Sequence, residues 1–200
     1  MKKLLMLLSA ALLAGSTFVA KADHGGSPPN GHNDNQEDNP LARGNNGDQG
    51  AFLTFNRMVA VDGAFEGSTN AIRGLPGDAL PHTLGGAHGA LGASGRLHIE
   101  VQGLVIANDT SVPAENRGTN DQASFRGLVS CLSEATDGSV ATVNVMTDPF
   151  AATAGGRANI QGIVALPAQC IAPIVFVTNA DGSTWLAVVG RDTTSSNTTP

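Results

Sequence analysis

Residues 95–106, GRLHIEVQGLVI, alternate: Leu97, Ile99 and Val101 fall on one side of an extended chain, His98, Glu100 and Gln102 on the other. Apolar positions that recur every second residue mark a half-buried β-strand, because a helix would need them every third or fourth. The same period runs through FLTFNRMVAVDG, where Leu53, Phe55, Val59 and Val61 share a face that Arg57 interrupts. It returns in ASFRGLVSCLS, which puts Phe125, Val129 and Cys131 on one side and sends that sulfur toward a core. SVATVNVM, RANIQGIVAL, APIVFVTN and STWLAVVGR follow. The last two are joined through NADG, where Asp-Gly tolerates the positive φ of a hairpin turn. About seven to nine short strands separated by turn signals predict a single all-β domain over residues 51–192, either a β-sandwich or a barrel-like fold. Roughly 140 residues fill one core and are too few for two comfortable ones. GRLHIEVQGLV and GRANIQGIVAL echo one another, too briefly to count as a repeat.

Ahead of that domain the chain changes character twice. Lys2 and Lys3 precede the apolar run LLMLLSAALLAG, and Ala20-Lys21-Ala22 supplies a small-residue cleavage site, so residues 1–22 are expected to be a secretory signal peptide. Residues 23–50 hold Leu41 as their one aliphatic side chain larger than alanine. Such a segment buries too little apolar surface to offset the entropy of ordering, which predicts a disordered polar leader. His24 and His32 sit in it among acids, as in chelating tracts, but a solvated linker accounts for them without a fixed ligand geometry. Residues 193–200 read as a flexible polar tail, and with no second apolar span the mature chain is expected to leave the membrane, secreted or periplasmic.

Charge narrows the partners. All three lysines lie in residues 1–22, so the mature chain sets eight arginines against seventeen acids, a formal −9. Nucleic-acid binding needs clustered basic side chains, and none cluster here. Tyrosine is absent and Trp185 is the single tryptophan, which leaves few platforms for stacking bases or sugars. Cys131 and Cys170 are the only cysteines. In an oxidising compartment, with apolar rather than electropositive neighbours, they are expected to form a disulfide and not a reactive or metal-binding thiol pair.

The residues that could carry chemistry are few. PHTLGGAHGALGASGRLHIE holds His82, His88 and His98, and three imidazoles that converged would suit zinc or copper. Their spacing matches no tight ligand motif, and His98 shares the polar face of its strand with Glu100, so no cofactor is required. Gly86, Gly89, Gly92 and Gly95 recur without a following helix, which predicts a flexible loop before a hairpin and no phosphate cradle. G-x-S-x-G and S-x-x-K are missing. Asp62, Glu66, Glu100, Asp121 and Asp148 are available for paired-acid hydrolysis, which would need a deep acidic cleft with one carboxyl desolvated. The turns ATDGS and TNADGS offer hard oxygen ligands without the full spacing of a calcium loop.

SGRLHIEVQGLVI, ASFRGLVSCLS, VNVMTDPF, LPAQCIAPIVFVT and WLAVVG together resemble a family of small exported bacterial proteins of unknown function, over roughly residues 70–190. The resemblance implies a secreted all-β domain with a Cys131–Cys170 bridge and brings no catalytic residues. The GRLHIEVQGL strand is also faintly similar to Cu/Zn superoxide dismutase and chordin-type β domains. Those expect H-x-H just after the strand, where this chain has VIANDTSVP. The expectation is therefore a non-catalytic binding or structural module of unknown partner, with an extracytoplasmic metal-binding protein or metalloenzyme as the alternative.

Overall fold

A computed structural model describes residues 50–191. The expected signal peptide, the leader up to Gln49 and the tail at 193–200 lie outside the described residues. Twelve strands form in chain order: β1 (Ala51–Phe55), β2 (Met58–Ala60), β3 (His82–Thr83), β4 (Gly86–Gly92), β5 (Arg96–Gln102), β6 (Val105–Ile106), β7 (Ser124–Glu134), β8 (Val140–Met146), β9 (Phe150–Ala151), β10 (Ala158–Ile163), β11 (Ile171–Thr178) and β12 (Trp185–Val189). The count exceeds seven to nine because β3, β6 and β9 are two-residue pairings that no periodicity reveals. The only helical turns among the described residues are two three-residue 3-10 turns.

Two antiparallel sheets carry the fold. One runs β1-β4-β5-β10; the other runs β2-β12-β11-β7-β8, with β9 continuing beside β7. They do not close into a barrel. Their inner faces meet as a sandwich, with Leu91, Leu97, Ile99 and Ile160 from the first sheet against Phe125, Val129, Val175 and Val177 from the second, all fully buried. Gly127 marks a close approach: a methyl group there would come within 2.6 Å of Leu97 Cδ2. The absent side chain is what lets β7 lie against β5 at that point. Cys131 bonds to Cys170 just before β11, tying the two strands at Cα–Cα 4.8 Å.

The expectation of one continuous face from Leu53 to Val61 is corrected. β1 belongs to the first sheet and β2 to the second, so the chain crosses between sheets at Asn56–Arg57. The crossing slips the period, burying Phe55 and Met58 three apart inside the sandwich. Val61 instead joins a second cluster on the outer face of the larger sheet, with Leu75, Leu128, Phe176 and Trp185. Residues 61–78 strap across that face: Trp185 N–H donates to Pro76 O at 3.0 Å, and the Phe65 and Trp185 rings meet edge to face at 6.2 Å.

The faint echo in the sequence has a structural counterpart. β5 and β10 are antiparallel neighbours, and each is preceded by a glycine with positive φ, Gly95 at +82° and Gly156 at +68°. Gly95 O accepts from Val164 N–H at one end of the pair, and Gly156 O accepts from Leu104 N–H at the other. A Cβ at either glycine would run into the backbone it contacts, so both Gly-Arg starts answer one local requirement met twice.

Candidate functional site

The glycine-rich stretch around His88 is not the expected flexible loop. Gly86–Gly92 is strand β4, paired along its length with β5 in a hairpin. Glycine suits it because a side chain at Gly89 would run into the His98 carbonyl of β5 and then into Phe55 of β1, whose Cζ is 2.7 Å from that position. The register sets His88 directly opposite Glu100 and Ala90 opposite His98. His98 and Glu100, two apart on β5, therefore share the outer face of the four-stranded sheet with His88.

Glu100 is the centre of that small group. His88 Nε2 stands 3.4 Å from Glu100 Oε2, and His98 Nε2 stands 3.7 Å from Oε1. Each imidazole faces a different carboxylate oxygen, and the three side chains are about half exposed. His98 Nε2 is itself sealed from solvent without a hydrogen-bond partner, although the rest of the ring is open. No three His, Cys, Asp or Glu side chains among the described residues gather closely enough to hold one metal ion.

His82 lies elsewhere. It sits on β3, paired with Ile106 of β6, and only 6% of it is exposed. Its ring lies 2.9 Å from Leu80 O through Nδ1, and that nitrogen donates, since a carbonyl only accepts. His82 lines an open cleft of about 620 Å³ at the place where the chain crosses between sheets. Asn56, Arg57, Asp62 and Thr83 supply the other polar side chains of the wall, with Met58, Val59 and Leu84 among the apolar ones. Arg57 is exposed and has no ion pair among the described residues. Sequence reading missed this cleft, because its polar residues come from a strand break and a two-residue pairing. The interruption of the apolar face at Arg57 was the one available signal.

The candidate acids stay apart. Asp62 is the cleft's one carboxylate, Glu66 accepts from Gly63 N–H at 2.7 Å, and Asp121 accepts from Gln122 Nε2 at 2.9 Å. Asp148 is exposed just after β8 ends, as an Asp-Pro terminator should be. None of the five, Glu100 included, is buried. The possible calcium turns are closed by their own serines. Asp137 Oδ1 accepts from both the amide and the hydroxyl of Ser139, at 2.9 and 2.6 Å, and Asp181 does the same with Ser183, at 3.0 and 2.6 Å. Asp109 repeats the arrangement with Ser111. The serine hydroxyl foremost, then its amide, holds the Asp137 and Asp181 carboxyls below the ordinary carboxylate range; for Asp109 the amide leads.

Compared with models of known families, with curated proteins and with solved structures, the chain has no significant match. No helix among the described residues is long and apolar enough to cross a membrane.

Proposed function

We propose that this protein acts outside the cytoplasm, secreted or periplasmic, as a non-catalytic binding module whose ligand sits in the cleft at the sheet crossover. The observation that carries the reading is the wall of that cleft: Arg57, without an ion pair among the described residues, beside Asn56, Asp62 and a His82 ring fixed by a backbone carbonyl, over apolar side chains. A volume of about 620 Å³ falls within the range of small-molecule sites, and a few polar groups on an apolar wall are how such sites fix orientation. Arg57 favours a ligand with a carboxylate or phosphate, which the guanidinium recognises in bidentate fashion. The Cys131–Cys170 bond supports an oxidising address, and the resemblance to small exported bacterial proteins agrees with it.

The test is a nuclear magnetic resonance titration of the mature protein with a panel of small carboxylates and phosphate esters. At least one should shift the Asn56 and Arg57 side-chain signals saturably, remain chemically unchanged, and bind at least about tenfold more weakly to Arg57→Gln, the cost of one charge-assisted hydrogen bond. Turnover of the ligand, or a stoichiometric transition metal in the purified protein, would replace this reading with the enzymatic one.

A further inference from the structure

We propose that β8 is a self-association edge: two copies pair Val140–Met146 antiparallel to itself, about a two-fold axis at Val143. β8 closes one end of the larger sheet, with β7 its only neighbour among the described residues. Paired positions in an antiparallel ladder alternate between bonding and non-bonding. Thr147 N–H donates to Gly127 O and Ala135 N–H to Ser139 O, which puts Ala141, Val143 and Val145 in the bonded positions toward β7. The backbone N–H and C=O groups of Val140, Thr142, Asn144 and Met146 therefore point away from the sheet, and they have no hydrogen-bond partner among the described residues.

Edge strands are commonly protected by charge, proline, bulges or shortness. β8 has none of these: VATVNVM is uncharged, seven residues long and in unbroken register with β7. The strand is also complementary to itself. With Val143 facing its own copy, Thr142 lies opposite Asn144 of the second copy and Val140 opposite Met146. All four outward-pointing residues then exchange hydrogen bonds in pairs. Val140 and Met146, 75% and 40% exposed in the single chain, cover one another at both ends. Sliding the register by two residues leaves Met146 facing the Asp137–Ser139 turn in one direction and Val140 facing Asp148 in the other, and sliding by one turns every side chain to the wrong face.

A second copy fits better than a foreign strand because these matches repeat under the two-fold. The pairing also consumes the edge, so association stops at the dimer. Asp137 and Asp148 flank the strand, and Asp137 of each copy approaches Asp148 of the other, which confines pairing to the seven residues and makes it sensitive to salt. Two such strands bury less than the roughly 1,000 Å² of a stable interface, so the dimer should depend on concentration.

Sedimentation velocity of the disulfide-bonded mature protein, from about 10 μM to about 1 mM, should show a monomer–dimer equilibrium that shifts toward dimer in about 0.5 M salt. Thr142→Pro removes an outward N–H that β7 does not use, so it should leave the melting temperature within about 3 °C while holding the chain monomeric throughout. Thr142→Lys does the same by charge, should the proline variant fail to fold. Amide exchange reads the register: Thr142, Asn144 and Met146 should gain protection with concentration, whereas Val143 and Val145 stay protected throughout. A wild type that is monomeric at the highest concentration and salt, an open ladder of oligomers, or a dimer retained by a folded Thr142 variant would overturn the proposal.

Discussion

Breaking the Cys131–Cys170 bond should lower the melting temperature by about 8–16 °C. The bond closes a separation of 39 residues. Cross-linking a loop of that size removes unfolded-state entropy worth about 4 kcal/mol. In a folded region of roughly 140 residues, each kcal/mol moves the midpoint by about 2–4 °C. The native contacts change little on reduction, because β7 and β11 are held by their own ladder, regular from Ile174 opposite Ser130 to Thr178 opposite Arg126, with a register shift only between Ile174 and Ile171. The loss should therefore fall mostly on the unfolded chain, and the reduced protein should keep its far-ultraviolet circular dichroism below the transition. Cys131 is fully buried and Cys170 only partly so, which leaves the Cys170 side of the bond as the side that dithiothreitol should attack. The assay is thermal unfolding of oxidised and reduced protein side by side, with Cys131→Ala/Cys170→Ala as a reductant-free check. A midpoint shift under about 3 °C would refute the loop-entropy argument, and two alkylated thiols in the unreduced native protein would remove its premise.

Three further outcomes are expected. Gly127→Ala should cost about 1–3 kcal/mol in denaturant unfolding, since its methyl group meets Leu97, Ile99 and Ile160 between the sheets; a neutral effect would show that the sheets have slack there. Trp185→Ala should cost about 3–5 kcal/mol, whereas Trp185→Phe should cost much less, because the buried indole N–H has no partner to lose; equal losses would point to a hidden partner for that N–H. With folded-state values lowered at Asp109, Asp137 and Asp181, their contribution is present above the ordinary carboxylate range and is lost as pH falls through the lowered values. The Ser111, Ser139 and Ser183 amide signals should accordingly hold steady on acidification until below that range, and movement at an ordinary carboxylate pH would contradict the turn geometry.

What could be read in advance was whatever repeats along one strand. Leu97, Ile99 and Val101 announced an inner face, and the structure buries all three. Cys131, on the apolar side of its strand, meets Cys170 as expected. What could not be read was whatever depends on the neighbouring strand. His88 and Glu100 are twelve positions apart in sequence and become opposite only through the register of β4 on β5. The cleft escaped for the same reason, since Arg57 and His82 are brought together by a chain that changes sheets, a move with no period of its own. Glycine misled at one position: the run from Gly86 to Gly92 looked like freedom along the chain, where Gly89 records crowding from the His98 carbonyl and the Phe55 ring, while Gly86 does have open space beside it.

The strap over Trp185 gives this molecule a way to come apart in stages. The cluster of Val61, Leu75, Leu128, Phe176 and Trp185 lies on the opposite side of the larger sheet from the sandwich core, so the strap at residues 61–78 can peel away without opening that core. Such an excursion would bare an apolar stripe across β12, β11 and β7, and the chain's only tryptophan would register it as a red-shifted emission before any strand is lost. A protease at low concentration would find the same state first, nicking the strap and leaving the two sheets intact.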